Sequence, residues 1–65
     1  MRYWQEGHRI ARLSDPEAIS GELFNWTSGT WQPAKTIGID IRFSGDWTAI
    51  SEAEASRLTS AAVAG

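Results

Sequence analysis

The sequence predicts an α+β fold: a small antiparallel β-meander of four to five short strands in two hairpins, with one C-terminal α-helix packed on one face. Three observations carry this reading. Two aromatic-rich stretches, "RYWQEGHRIARL" and "ELFNWTSGTWQ", each enclose a glycine-containing turn. In "KTIGIDIRF", Ile37, Ile39, Ile41 and Phe43 alternate with Thr36, Gly38, Asp40 and Arg42, the period of two expected of a half-buried strand. Finally, Ser51 stands three residues ahead of Glu54, the spacing of a helix-opening capping box.

The elements follow in order along a chain of 65 residues, which is enough for a single domain, 1–65. Residues 1–13 read as an N-terminal hairpin. With Glu6-Gly7 as a two-residue loop, Gln5 pairs with His8, Trp4 with Arg9 and Tyr3 with Ile10, which sets a cross-strand cation–π pair between Arg9 and Trp4. "SDPEAISG" then punctuates the chain. Either Ser14 or Asp15 caps one helical turn with Pro16 at its first position, or the stretch is a type I turn with Pro16 second.

Strands are expected over 22–43. In the second hairpin, a four-residue loop Thr27-Ser28-Gly29-Thr30 pairs Trp26 with Trp31, whereas a three-residue loop with Gly29 as a bulge sets Trp26 opposite Thr30. A one-residue slip therefore decides between one aromatic cluster and two. Pro33 interrupts the ladder before the alternating segment begins. The helix is expected over 51–63, with Glu52 and Glu54 at its positive end. Ala55, Leu58, Thr59 and Ala62 form its apolar stripe, and Glu54 and Arg57 turn to solvent.

Composition narrows the chemistry. The chain has no cysteine and a single histidine, His8, which excludes disulfides, thiol catalysis and a closed zinc site. A domain this small needs other staples, and its four tryptophans are the obvious ones. No nucleophile elbow, calcium loop, phosphate loop or zinc-helix motif is present, and no cofactor is implied. Glu22 and Asp40 are nominal catalytic carboxylates, but their alternation puts them on polar faces as solvated groups. The expectation is a protein that is not an enzyme.

Net charge is −2, which argues against a binder of the phosphate backbone and makes nucleic acid an unlikely partner. The charge is uneven: residues 1–13 carry a local net +2 from Arg2, Arg9 and Arg12 against Glu6. No apolar run approaches the roughly 18–20 residues of a membrane span, and the N-terminus lacks the apolar stretch of a signal peptide. A cytoplasmic location without membrane association is the corresponding expectation.

The aromatics remain as the functional signal. Exposed Trp beside Arg is the composition of an interface hot spot, so Trp4, Arg9, Trp26 and Trp31 are the candidate partner-binding residues. They point to a non-catalytic interaction module that docks on a protein partner or on another copy of itself. The alternative is an aromatic platform that stacks single-stranded nucleic acid or carbohydrate. The stretch "WTAISEAEA", residues 47–55, resembles the termini of small phage-borne and bacterial open reading frames, some tail-fibre assembly chaperones among them. It implies a bacterial or phage source and carries no functional residue across.

Overall fold

The computed structural model describes the backbone of residues 1–64 and the side chains of residues 1–60. Five strands and two helices follow one another: β1 (Arg2–Glu6), β2 (Arg9–Leu13), β3 (Gly21–Asn25), β4 (Thr30–Ala34), α1 (Ile37–Ser44), β5 (Thr48–Ile50) and α2 (Glu52–Ala64). All strand pairs are antiparallel, in the order β4-β3-β2-β1-β5. The first four strands form the expected meander. The fifth returns to the free edge of β1, and Pro33, which has no N–H to give a ladder, lies on the opposite edge strand.

Both hairpins form, in registers other than those expected. In the first, the loop is Gly7-His8 rather than Glu6-Gly7, so that Glu6 faces Arg9 and Trp4 faces Ala11. The reason is backbone sterics. A tight hairpin loop demands a positive φ at its first central residue, and Gly7 takes it at 57°, where Glu6 would be strained. The Trp4–Arg9 pair is thereby lost.

In the second hairpin the loop has four residues, but they are Trp26 to Gly29, one position earlier than expected. Gly29 closes it at φ 71°, its N–H bonded to the Asn25 carbonyl at 2.8 Å. The Asn25 side chain accepts from the Thr27 and Ser28 amides at 2.9 and 3.1 Å, which anchors the loop at its start. Phe24 therefore pairs with Trp31, and Trp26 leaves the ladder.

The stretch between the meander strands 2 and 3 takes the turn alternative. The Asp15 carboxylate accepts from the Glu17 amide at 2.8 Å and its carbonyl from the Ala18 amide at 3.0 Å, with no helix formed.

The largest correction concerns 37–43, which is not a strand but helix α1. Alternation at every second position also contains two i, i+4 pairs, Ile37/Ile41 and Ile39/Phe43, and each pair fits one side of a helix. Ile37 and Ile41 face the sheet, while Ile39 and Phe43 are left outside. Gly45, at φ 76°, ends the helix in the left-handed conformation that glycine adopts freely. Packing here overrides the β preference of isoleucine.

The register sends Tyr3, Ile10, Phe24, Trp31 and Ile50 to one sheet face, and Trp4, Ala11, Leu13, Leu23 and Ala34 to the other. Two buried clusters result. Ile10, Phe24 and Ala55 of α2 form the first, with Tyr3, Trp31, Ile50 and Leu58 against them. Ala11, Leu13 and Ile37 form the second, with Trp4, Ala18, Leu23, Ala34, Ile41 and Trp47 against them.

Helix α2 starts as its capping signal predicts, the Ser51 hydroxyl accepting from the Glu54 amide at 3.0 Å. The side chain of Glu54 does not reach back to Ser51; it pairs with Arg57 one turn on. Ala62, expected on the apolar stripe, has its side chain outside the described residues. The Arg57 guanidinium holds the Glu54 carboxyl below its ordinary value, and Glu54 raises Arg57. A carboxylate whose folded pKa is depressed adds stability above its unfolded value and loses it as pH falls through the folded one. Thermal midpoints measured from about pH 5 down to pH 2 should therefore fall less steeply in Glu54→Gln than in the wild type. An unchanged slope would show that the pair adds nothing.

Candidate functional site

Three surface features bear on function; the four expected partner-binding residues lie in or beside the first two, and none lies in the third. The first is a polar corner on the face of the second cluster. Arg9 from β2 lies over the Trp47 ring, 5.0 Å from its centroid, and its Nε donates to Glu6 at 2.8 Å. Trp47 Nε1 donates to Asp40 at 3.0 Å, and Asp40 lies 3.8 Å from the Arg9 guanidinium. Asp40 and Glu6 thus neutralise Arg9 and hold it flat on an indole other than Trp4. Trp4 itself is half-buried against the second cluster.

The second feature is an aromatic wall on the other sheet face. Phe24 sits edge-on to Trp26 at 4.9 Å and to Trp31 at 5.3 Å, and Trp31 meets Tyr3 at 6.1 Å. These are the offset and tilted arrangements that aromatic quadrupoles favour. Arg12 lies over Trp31 at 4.3 Å and is tied to Glu22 at 2.6 Å. Neither of the two expected registers forms; Phe24, paired with Trp31, bridges Trp31 and Trp26 instead. Trp26, at the loop, donates its Nε1 hydrogen to the His8 carbonyl at 2.6 Å, which joins the two hairpin ends. Beside this wall a cleft of about 150 Å³ opens between Tyr3, Trp31 and the first turns of α2.

The third feature lay outside the sequence reading. On the outer side of α1, Phe43 is 81% exposed and Ile39 41%, with Ile19 of the preceding loop 56% exposed. The helix that carries Ile39 and Phe43 is hydrogen-bonded to the loop before β3. The Gly38 amide donates to the Ile19 carbonyl at 2.8 Å, and Arg42 Nη1 reaches the carbonyls of Pro16 and Ala18, both at 3.2 Å. The signal for these residues was present in the i, i+4 spacing of Ile39 and Phe43, but a strand reading buries both.

Of the four expected residues, the structure places Trp4 and Arg9 on one face, Trp31 on the other and Trp26 at the hairpin end. It does not bring them into one patch. Glu22 and Asp40, the nominal carboxylates, engage Arg12 and the Trp47–Arg9 pair respectively. Among the described residues, no group of three or more His, Cys, Asp or Glu gathers as metal ligands do. Nor is any helix among them long and apolar enough to cross a membrane.

No protein-family model, curated protein or solved structure matches the chain. Its function is therefore argued from its own geometry.

Proposed function

We propose that the protein is a non-catalytic, self-associating interaction module, and that two copies meet through the outer side of α1. The observation that carries this is the exposure of Phe43 and Ile39 together on one helix. Only six hydrophobic residues are buried among the described residues, and two large ones exposed together on one docked helix are the mark of a covered surface. In this reading α2 lies across the face that carries Tyr3, Ile10, Phe24 and Trp31. The outer side of α1 is then left for the partner.

A second copy suits the stripe by charge as well as by shape. Lys35 lies in the turn just ahead of α1 and Asp46 just past the Gly45 that ends it, so opposite charges flank the helix at its two ends. Among the described residues neither side chain makes an ion pair. In an antiparallel two-fold pairing, Ile39 of one copy meets Phe43 of the other and each Lys35 approaches the other's Asp46. Such self-complementarity is what an isologous interface requires. The patch is small, so the association is weak and concentration-dependent. Trp26, 41% exposed, and Arg9 flank the first hairpin turn, where a heterologous partner would add contacts to the dimer.

Sedimentation velocity over a range of concentrations tests the reading. The wild type is expected to shift from monomer to dimer as concentration rises. Phe43→Lys removes a hot-spot side chain worth about 2 kcal/mol, a roughly thirtyfold weakening of the dimer. Its circular dichroism should match the wild type, because Phe43 supports nothing inside. A strict monomer at all concentrations, or a dimer indifferent to Phe43→Lys, would refute the proposal.

A further inference from the structure

The geometry points to the cleft beside the aromatic wall as a binding site for a methylated alkylammonium group. Its lining includes the Tyr3 and Trp31 rings, a tilted pair with centroids 6.1 Å apart and planes at 59°. Its floor is Ala55, fully buried, and its rim carries Glu52, Ser56 and Thr59 from successive turns of α2. A volume of about 150 Å³ accommodates a benzene-sized group.

Charge selects among ligands of that size. Glu52, in the first turn of α2, lines the cleft and makes no hydrogen bond or ion pair with another side chain among the described residues. Arg12, stacked on Trp31, is already paired with Glu22 at 2.6 Å. Thr59 spends its hydroxyl hydrogen on the Ala55 carbonyl at 2.9 Å, leaving its oxygen as an acceptor. The rim therefore offers acceptors and negative charge, and it repels anions such as phosphate. Two aromatic rings that meet at an angle, with a carboxylate at their mouth, attract a cation through the ring quadrupoles and Coulomb's law together. A methylated ammonium suits this mixed lining, its methyl groups lying against the two rings and its positive charge toward Glu52 and the hydroxyl oxygens.

This site belongs to the first cluster, whereas the α1 stripe adjoins the second, so the two proposals stand or fall separately. The test is a titration followed by NMR, reading the Trp31 indole and Tyr3 ring resonances. The probes are tetramethylammonium, choline, an acetylated trimethyllysine amide, the neutral choline isostere 3,3-dimethylbutan-1-ol, and methyl glucoside. The cations are expected to give saturable shifts in the millimolar range, confined to residues of the cleft, with the neutral isostere and the sugar about fivefold to tenfold weaker. Glu52→Gln, an exposed substitution that leaves the fold intact, should weaken the cations by a similar factor and leave the isostere unchanged. Tighter binding of trimethyllysine amide than of choline would identify a modified protein tail as the source, and the reverse a free small molecule. Absence of saturation, equal binding of the isostere or sugar, or cation binding indifferent to Glu52→Gln would overturn the proposal.

Discussion

Phe24→Ala is expected to leave the domain largely unfolded at room temperature. The ring is buried, sits beside Ile10 and Ala55, and is the shared partner of Trp26 at 4.9 Å and Trp31 at 5.3 Å. Truncating a buried phenylalanine costs about 3–5 kcal/mol. Two edge-on aromatic contacts, each worth roughly 0.5–1.5 kcal/mol beyond area burial, disappear with it. A chain of this length has only about 3–10 kcal/mol of total stability, and with no cysteine it has no disulfide to take up the loss. Urea or thermal unfolding, read by the tryptophan signal, should show a transition moved to the edge of observation. Phe24→Leu keeps most of the volume and should fold with a lowered midpoint. A Phe24→Ala midpoint close to wild type would mean that the aromatic wall is not the staple of the first cluster.

Gly38→Ala should destabilise the protein by about 1–3 kcal/mol or more, the reverse of what alanine does in an ordinary helix. A Cβ at this position would collide with the carbonyl oxygens of Ala18 and Ile19, which are backbone atoms and cannot step aside as a side chain could. To make room, α1 would have to move off the 15–19 loop, breaking the Gly38 amide bond to Ile19 and the reach of Arg42 to Pro16 and Ala18. If residues 37–43 formed an exposed-face strand instead, the added methyl would be neutral or favourable. Gly45→Ala is an informative comparison: no atom lies within 4 Å of the new Cβ, so its cost is confined to the left-handed backbone, roughly 1–2 kcal/mol. Equilibrium unfolding of the two variants separates steric docking from backbone strain, and stabilisation by Gly38→Ala would contradict the docking of α1.

What was legible in the sequence follows from which signals are local. Ser51 announces α2 because a cap is a hydrogen bond within a few residues, and it forms as expected. The hairpins announce themselves through Gly7 and Gly29, but register depends on which loop position must carry a positive φ, and that moved each turn by one residue. Helix α1 was hidden because Ile37, Ile39, Ile41 and Phe43 satisfy a period of two while also containing two helical pairs. In the fold, Ile37 packs on Ala11 and Leu13 with Ile41 beside them, a long-range contact that favours the helix. The glycine at 45, just past the last apolar residue, was the local sign of a helix end.

The candidate site inherits these errors. Arginine on tryptophan was a sound expectation, yet the pairs are Arg9 with Trp47 and Arg12 with Trp31, both decided by long-range placement. Phe43, Ile39 and Glu52 were not among the candidate site residues, for a common reason. Their significance lies in what does not cover or pair with them, which a sequence pattern alone does not reveal.

Self-association through α1 is tested most directly by isotope-filtered NMR on a mixture of labelled and unlabelled protein, in which only contacts between copies appear. The antiparallel pairing predicts intermolecular cross-peaks between the Ile39 methyl groups of one copy and the Phe43 ring of another, growing with concentration and absent in Phe43→Lys. Intermolecular cross-peaks confined to other surfaces, or none at concentrations where sedimentation reports a dimer, would contradict it.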